Sequence, residues 1–221
     1  MSGPPGLTNN PHLTTELAWS GAPLADARLV AILLHGREQS PALVRDLVGD
    51  ALGPDLALVA PAAAGGSWYP ASFLAPRATN EPRLGQALAR VESLARALRA
   101  RGIGPARQLV IGFSQGACLA CEYAWTATAP LAGVIGFTGG LIGPPGTAWR
   151  PRRELAGTAV WLSGSEADPW VPAARVRETA EAFAASGASV ELELYPGTDH
   201  AIRAAELAGA RAVVAGIAAR T

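Results

Sequence analysis

Gly112-Phe113-Ser114-Gln115-Gly116 sets a serine between two glycines directly after the apolar run Gln108-Leu109-Val110-Ile111. A strand running into a tight turn and then a helix would hold such a serine at a strained backbone position with its Oγ exposed. The glycines to either side would let strand and helix pass closely. A serine hydroxyl is a poor nucleophile until an imidazole takes its proton, and the imidazole needs a carboxylate to fix its tautomer and stabilise its charged form. All 18 basic residues of this 221-residue chain are arginine. A P-loop lysine, a Schiff-base lysine and a Ser-Lys dyad are therefore excluded, and a nucleophilic serine here must use histidine. Only His12, His35 and His200 are present.

His200 closes the segment Pro196-Gly197-Thr198-Asp199-His200, directly after the strand-like run Ser189 to Tyr195. Asp168 lies in Gly164-Ser165-Glu166-Ala167-Asp168-Pro169-Trp170-Val171-Pro172, which follows the apolar run Thr158 to Ser163. Each falls in a loop after a strand, and the order Ser114, Asp168, His200 is the one an α/β-hydrolase-type sheet demands. His200 is the expected base and Asp168 its orienter. Glu166 and Asp199 compete for the carboxylate role, but Asp199 adjoins His200, and neighbouring side chains on an extended loop point apart.

The tetrahedral intermediate of acyl transfer also needs N–H donors aimed at its oxyanion. The backbone N–H groups of Gln115 and Arg37 are the candidates, the second lying in His35-Gly36-Arg37 after the strand Arg28 to Leu34. His35 is expected to stabilise that loop and His12 to have no chemical role. Cys118 and Cys121 form a C-x-x-C on the helix after the serine, with no second Cys/His pair to accompany them. Buried packing is the expectation, and no metal or cofactor is implied.

These residues need strands to carry them. Candidate strands are Arg28 to Leu34, Leu56 to Ala60, Gln108 to Ile111, Gly133 to Thr138, Thr158 to Ser163 and Ser189 to Tyr195. Helices are expected from Pro41 to Leu52, over Leu84 to Leu98 with Asn80 as cap and Gly102 as stop, from Gln115 to about Thr126, from Pro172 to Ser186, and from about Ala201 to Ala219. The alternation is the βαβ signature of a mostly parallel sheet with helices on both faces, and the near-continuously apolar strands imply burial on both sides. Leu13, Leu17 and Trp19 hint at an edge strand or hairpin within a less regular segment, residues 1–27. Ala62 to Asn80 and Gly139 to Arg153 are long loops after strands, of the kind that lines a site.

One domain over residues 1–221 is the simplest reading of the length, with no linker or repeat to divide it. The composition is 49% apolar and 16% charged with zero formal net charge. It supports a large core and gives no electrostatic reason to expect nucleic acid or an anionic membrane. No run reaches the roughly 18 apolar residues of a membrane span, and the first ten residues lack a basic start and an apolar core, so the expectation is a cytoplasmic protein without stable membrane insertion.

Leu34-His35-Gly36-Arg37, Gly112-Phe113-Ser114-Gln115-Gly116-Ala117, Asp168-Pro169-Trp170-Val171-Pro172 and Gly197-Thr198-Asp199-His200 together resemble the phospholipase/carboxylesterase family of α/β-hydrolases, to which the acyl-protein thioesterases belong. The resemblance runs from about Leu29 to the end of the chain. It implies a sheet of seven or eight strands flanked by helices without a large cap domain, Ser114, Asp168 and His200 as a triad, and Arg37 and Gln115 as oxyanion donors. The expected activity is a serine hydrolase acting on a small or acyl carboxylic ester through an acyl-enzyme. An acyl thioesterase or lysophospholipase using the same residues is the alternative, and a non-catalytic binding protein of the same fold the rival from another class. Glu38 departs from the resemblance, standing where thioesterase members carry glycine. Trp68, Tyr69 and Phe73 could wall an acyl or aryl pocket or simply pack their loop. A homodimer is left open.

Overall fold

The computed structural model describes residues 9–221; expectations for the first eight residues lie outside them. Along the chain run β1 (Leu17–Gly21), β2 (Leu29–Leu34), α1 (Pro41–Val48), β3 (Leu56–Pro61), α2 (Arg77–Asn80), α3 (Arg83–Arg99), β4 (Gln108–Phe113), α4 (Gln115–Thr126), β5 (Gly133–Phe137), β6 (Ala159–Ser165), α5 (Ala173–Ala185), β7 (Ser189–Tyr195) and α6 (Ala204–Ala218). The strands form one seven-stranded sheet in the order β1-β3-β2-β4-β5-β6-β7. Only β1 runs antiparallel to its neighbour. This is the α/β-hydrolase fold.

Every residue of β2, β3, β4, β5 and β6 is buried, because helices cover both faces of the sheet. The pleat divides each strand between two cores. Val30, Ile32 and Leu34 pack with α3, α4 and α5, whereas Leu29, Ala31 and Leu33 pack with α1 and α6. Helix α3 buries Leu84, Val91, Leu94 and Leu98, and each such leucine or valine contributes about 1.5 to 3 kcal/mol when taken fully from water. Gly102 follows α3 with φ +81°, a left-handed turn suited to glycine.

Several boundaries differ from the sequence reading for identifiable reasons. Asn80 does not cap α3. It is buried at the end of α2, where its Oδ1 accepts from Ala71 N–H (2.8 Å) and its Nδ2 donates to the Ser72 carbonyl (3.0 Å). Pro172 is the cap residue of α5, which begins at Ala173. Helix α6 starts at Ala204, because the Glu206 carboxylate reaches back to Arg203 N–H (2.7 Å) and closes the first turn there. Gly164 continues β6, which runs on to Ser165. In the N-terminal segment, Leu17 and Trp19 lie on the edge strand β1, with Leu13 in a short 3-10 turn, Pro11–Thr14.

That turn is fastened to α3. Asn10 Nδ2 donates to the Gln86 carbonyl (2.7 Å), and the Arg90 guanidinium donates to the carbonyls of Leu13 (3.3 Å) and Thr15 (3.1 Å). The fastening gives His12 a structural task that sequence reasoning missed: its Nδ1 accepts from Ala64 N–H (3.0 Å). His35 acts in parallel, its Nε2 accepting from Ala63 N–H (2.9 Å). The Trp68 ring packs near both imidazoles, with centroids 5.6 Å and 5.1 Å away, and its Nε1–H donates to the His35 carbonyl (2.9 Å). The two histidines thus hold the start of the 62–80 loop.

Burial, reinforced by the Arg83 charge, pulls the His12 pKa down to about 4, and burial lowers that of His35. Both rings accept a backbone N–H and are neutral in the fold. A base whose folded pKa lies below its unfolded value is protonated first in the unfolded chain, so stability is full above about pH 6.5 and drains away as pH falls toward about 4. Calorimetric Tm should therefore decline through that window. The decline should be shallower in His12→Asn, which keeps an acceptor but cannot charge; an unchanged slope would show that His12 is not a source of acid lability.

Candidate active site

The serine between the glycines sits where β4 passes into α4. Ser114 has φ +54° and ψ −119°, and its N–H donates to the Phe137 carbonyl (3.0 Å). Such a backbone costs on the order of 1 to 3 kcal/mol, which the surrounding packing must offset. The glycines explain why it can exist. A Cβ on Gly112 would lie 2.2 Å from the Gly116 carbonyl oxygen, and one on Gly116 would lie 2.1 Å from that of Leu34. Any larger residue at either position would push the helix off the sheet.

The sheet brings Ser114, Asp168 and His200 together from three separate loops. Ser114 Oγ and His200 Nε2 are 2.8 Å apart, and His200 Nδ1 is 2.8 Å from Asp168 Oδ2. The Asp168 side chain is 0% exposed, and its other oxygen accepts from the N–H groups of Trp170 (2.7 Å) and Val171 (2.9 Å). These two amides fix the carboxylate and satisfy it as an anion. With the Nδ1 proton directed at Asp168, the Nε2 lone pair of His200 faces the serine. The rival acids point elsewhere: Glu166 pairs with Arg177 on the surface, and the Asp199 carboxylate lies 3.4 Å from Arg203.

Two residues that fasten the histidine loop carried no sequence signal. Ser165, at the end of β6, donates its Oγ–H to the Asp199 carbonyl (2.5 Å), and Arg203 Nη2 donates to that same Oγ (2.7 Å). The Arg203 guanidinium also lies over the Tyr195 ring, 5.2 Å from its centroid. Neither contact can be inferred from residues 34 or 38 positions apart in the chain.

Ser114 and His200 open onto a cavity of about 480 Å³ whose walls include Arg37, Glu38, Gln115, Tyr69, Phe73, Cys118 and Trp170. Arg37 and Gln115 are thus both placed beside Ser114. The amide of Gln115 opens α4, where N–H groups have no carbonyl one turn back and are free to bind an oxyanion. Their side chains have a second task. The Arg37 guanidinium donates to the carbonyls of Pro70, Tyr69 and Ala71 (3.0 Å each). The Gln115 amide donates to the Tyr69 carbonyl (2.8 Å) and accepts from Trp68 N–H (3.0 Å). Both cavity-lining residues therefore also shape its wall.

Of the three aromatics considered from sequence, Tyr69 and Phe73 line the cavity and Trp68 does not; it is buried between the two histidines. The 139–153 loop does not line it either. That loop packs behind Phe73, held by Gly143 N–H donating to the Phe73 carbonyl (2.8 Å) and by buried Arg175 donating to the carbonyls of Leu141 (3.0 Å) and Gly143 (2.7 Å). Cys118 and Cys121 are free and buried, and burial pushes the Cys118 thiol up to about 12, which keeps it uncharged at neutral pH. Among the described residues there is no cluster of three metal-ligating side chains, and no helix long and apolar enough to cross a membrane.

Comparison with known proteins agrees with this architecture. The family model described as phospholipase/carboxylesterase matches residues 23–215. A solved structure of a phospholipase/carboxylesterase from Dyadobacter fermentans is 34% identical, covering 91% of this chain and 97% of that one with a TM-score of 0.82. Esterase PE8, at 24% identity, covers 92% of this chain and 99% of its own with a TM-score of 0.76 and supports the fold alone. Acyl-protein thioesterase 1 of Gibberella zeae is 32% identical over 108 residues, 48% of this chain and 46% of that protein, so this match spans about half of each. The chain belongs to the phospholipase/carboxylesterase family, carboxylesterase-type hydrolases of the α/β-hydrolase fold.

Proposed function

We propose that the protein hydrolyses carboxylic esters with Ser114 as nucleophile, His200 as general base and acid, and Asp168 as the group that orients and stabilises His200. The observation that carries this reading is the unbroken line of 2.8 Å contacts from Ser114 Oγ through His200 to Asp168, opening on a largely apolar cavity. Its volume, about 480 Å³, lies in the range of small-molecule sites.

In the first half-reaction His200 Nε2 takes the hydroxyl proton as Ser114 Oγ bonds to the ester carbonyl carbon. The carbonyl oxygen becomes an oxyanion facing the N–H groups of Arg37 and Gln115. As the tetrahedral intermediate collapses, the bond to the alcohol oxygen breaks, and His200 gives its proton to that oxygen. An acyl group remains on Ser114. In the second half His200 takes a proton from water, the resulting hydroxide adds to the acyl carbon, and the acid leaves as the proton returns to Ser114. Each proton is passed by one imidazole held in one orientation, which is why the buried, doubly amide-bound Asp168 matters. The similarity to acyl-protein thioesterase 1 supports a second reading, in which a thiol replaces the alcohol as leaving group and the residues keep their roles. The apolar surface of Tyr69 and Phe73 suits an acyl chain in either case.

A fluorophosphonate should label the folded protein stoichiometrically at Ser114; folded protein that stays unlabelled would remove Ser114 as nucleophile. Ser114→Ala and His200→Ala should each lower kcat by about 10³- to 10⁶-fold, with the double variant little worse than either. Losses that multiply would mean the two residues act independently.

A further inference from the structure

The cavity in front of Ser114 carries a carboxylate that the ester mechanism leaves unused. Glu38 stands at its mouth, one residue past the Arg37 amide, with φ +59°. Side chains rarely adopt this left-handed conformation, and glycine would hold the same turn without strain. Its backbone is tied down by its N–H donating to the Gly66 carbonyl (2.8 Å). Its exposed carboxylate has no hydrogen bond or ion pair among the described residues. The adjacent cation does not neutralise it, because the Arg37 guanidinium is turned onto the carbonyls of Tyr69, Pro70 and Ala71.

The same mouth presents Trp170, which is 71% exposed although it is anchored through its N–H to the buried Asp168 carboxylate. A large aromatic ring left in water on a backbone held in this way is a ready stacking face. An unpaired carboxylate and an exposed indole on the wall of one cavity are the two elements that a site for an organic cation requires. The carboxylate attracts its charge, and the indole face binds an ammonium group more tightly than a neutral group of equal size. The apolar wall of Tyr69 and Phe73 suits the acyl part, which leaves the mouth to the alcohol part.

We infer that Glu38 and Trp170 select substrates with a cationic leaving group, making esters of amino alcohols the preferred class. This rests on the ester-hydrolase reading given above. Glu38 supplies the charge and Trp170 the aromatic face. An anionic leaving group is turned away by the same carboxylate.

Butyrylcholine and its neutral isostere 3,3-dimethylbutyl butyrate differ in charge and hardly in shape. At low salt the wild type should show a kcat/KM ratio in favour of butyrylcholine of about fivefold or more. Glu38→Gln, which keeps the same backbone strain, should cut that ratio several-fold, as should Trp170→Leu, and added sodium chloride should shrink it in the wild type. A wild-type ratio at or below one, or an unchanged ratio in Glu38→Gln, would overturn the inference while leaving ester hydrolysis intact. If neither ester is turned over, the ester-hydrolase reading is what fails. Binding of phenyltrimethylammonium, followed by tryptophan fluorescence, then decides separately: weaker binding by Glu38→Gln supports a cation site, and equal binding excludes it.

Discussion

The close approach of α4 to β2 at Gly116 is the constraint on which the site depends. With the Leu34 carbonyl where the first atom of any side chain would have to go, the first turn of α4 can pass β2 this closely only at glycine, and the helix starts immediately after Ser114. The strand-to-helix turn is then so short that Ser114 is forced to a positive φ. Three consequences meet at one point. The serine is thrust out of the sheet, the first amide of α4 is left without an intrahelical partner beside it, and the Leu34-to-Arg37 loop is brought against the same spot. The strain is local, and the five fully buried strands around it are what hold it.

The second organising device follows from a chain that has arginine and no lysine. A guanidinium presents five N–H donors in a rigid fork and can bind several carbonyl oxygens at once, which a lysine ammonium does with far less geometric definition. Arg37 gathers the carbonyls of residues 69, 70 and 71, Arg175 those of 141, 143 and 144, Arg90 those of 13 and 15, and Arg107 those of 27 and 28. In each case an irregular segment that cannot form a strand ladder has its main-chain acceptors satisfied by a side chain from a neighbouring element. The cavity wall and the loop behind it are built in this way, as is the seat of the N-terminal turn.

What could be read in the sequence was what depends on local sterics and chain order. Ser114 stands out because two glycines and an apolar run are sequential. Asp168 and His200 follow because each must lie just past a strand, and the parallel sheet puts those strand ends side by side. What could not be read depends on contacts across the chain. Asn80 has the residue type of a helix cap, yet its side chain serves Ala71 and Ser72 instead. His12 carries no signal in the sequence because its partner, the Ala64 N–H, lies 52 positions away. Ser165 and Arg203 gave no hint that they fasten the loop carrying His200. Glu38 was visible as a departure from the glycine of similar proteins, but only the fold shows that it keeps the left-handed backbone glycine would favour while carrying a charge into the mouth of the site.

The central claim is that the strained serine receives the acyl group. Mass spectrometry of the protein quenched with acid during turnover of a p-nitrophenyl ester tests it directly. The account predicts a mass increase equal to one acyl group, located on the peptide that contains Ser114 and absent from Ser114→Ala. Turnover with the adduct on another residue, or undiminished turnover by Ser114→Ala, would contradict it.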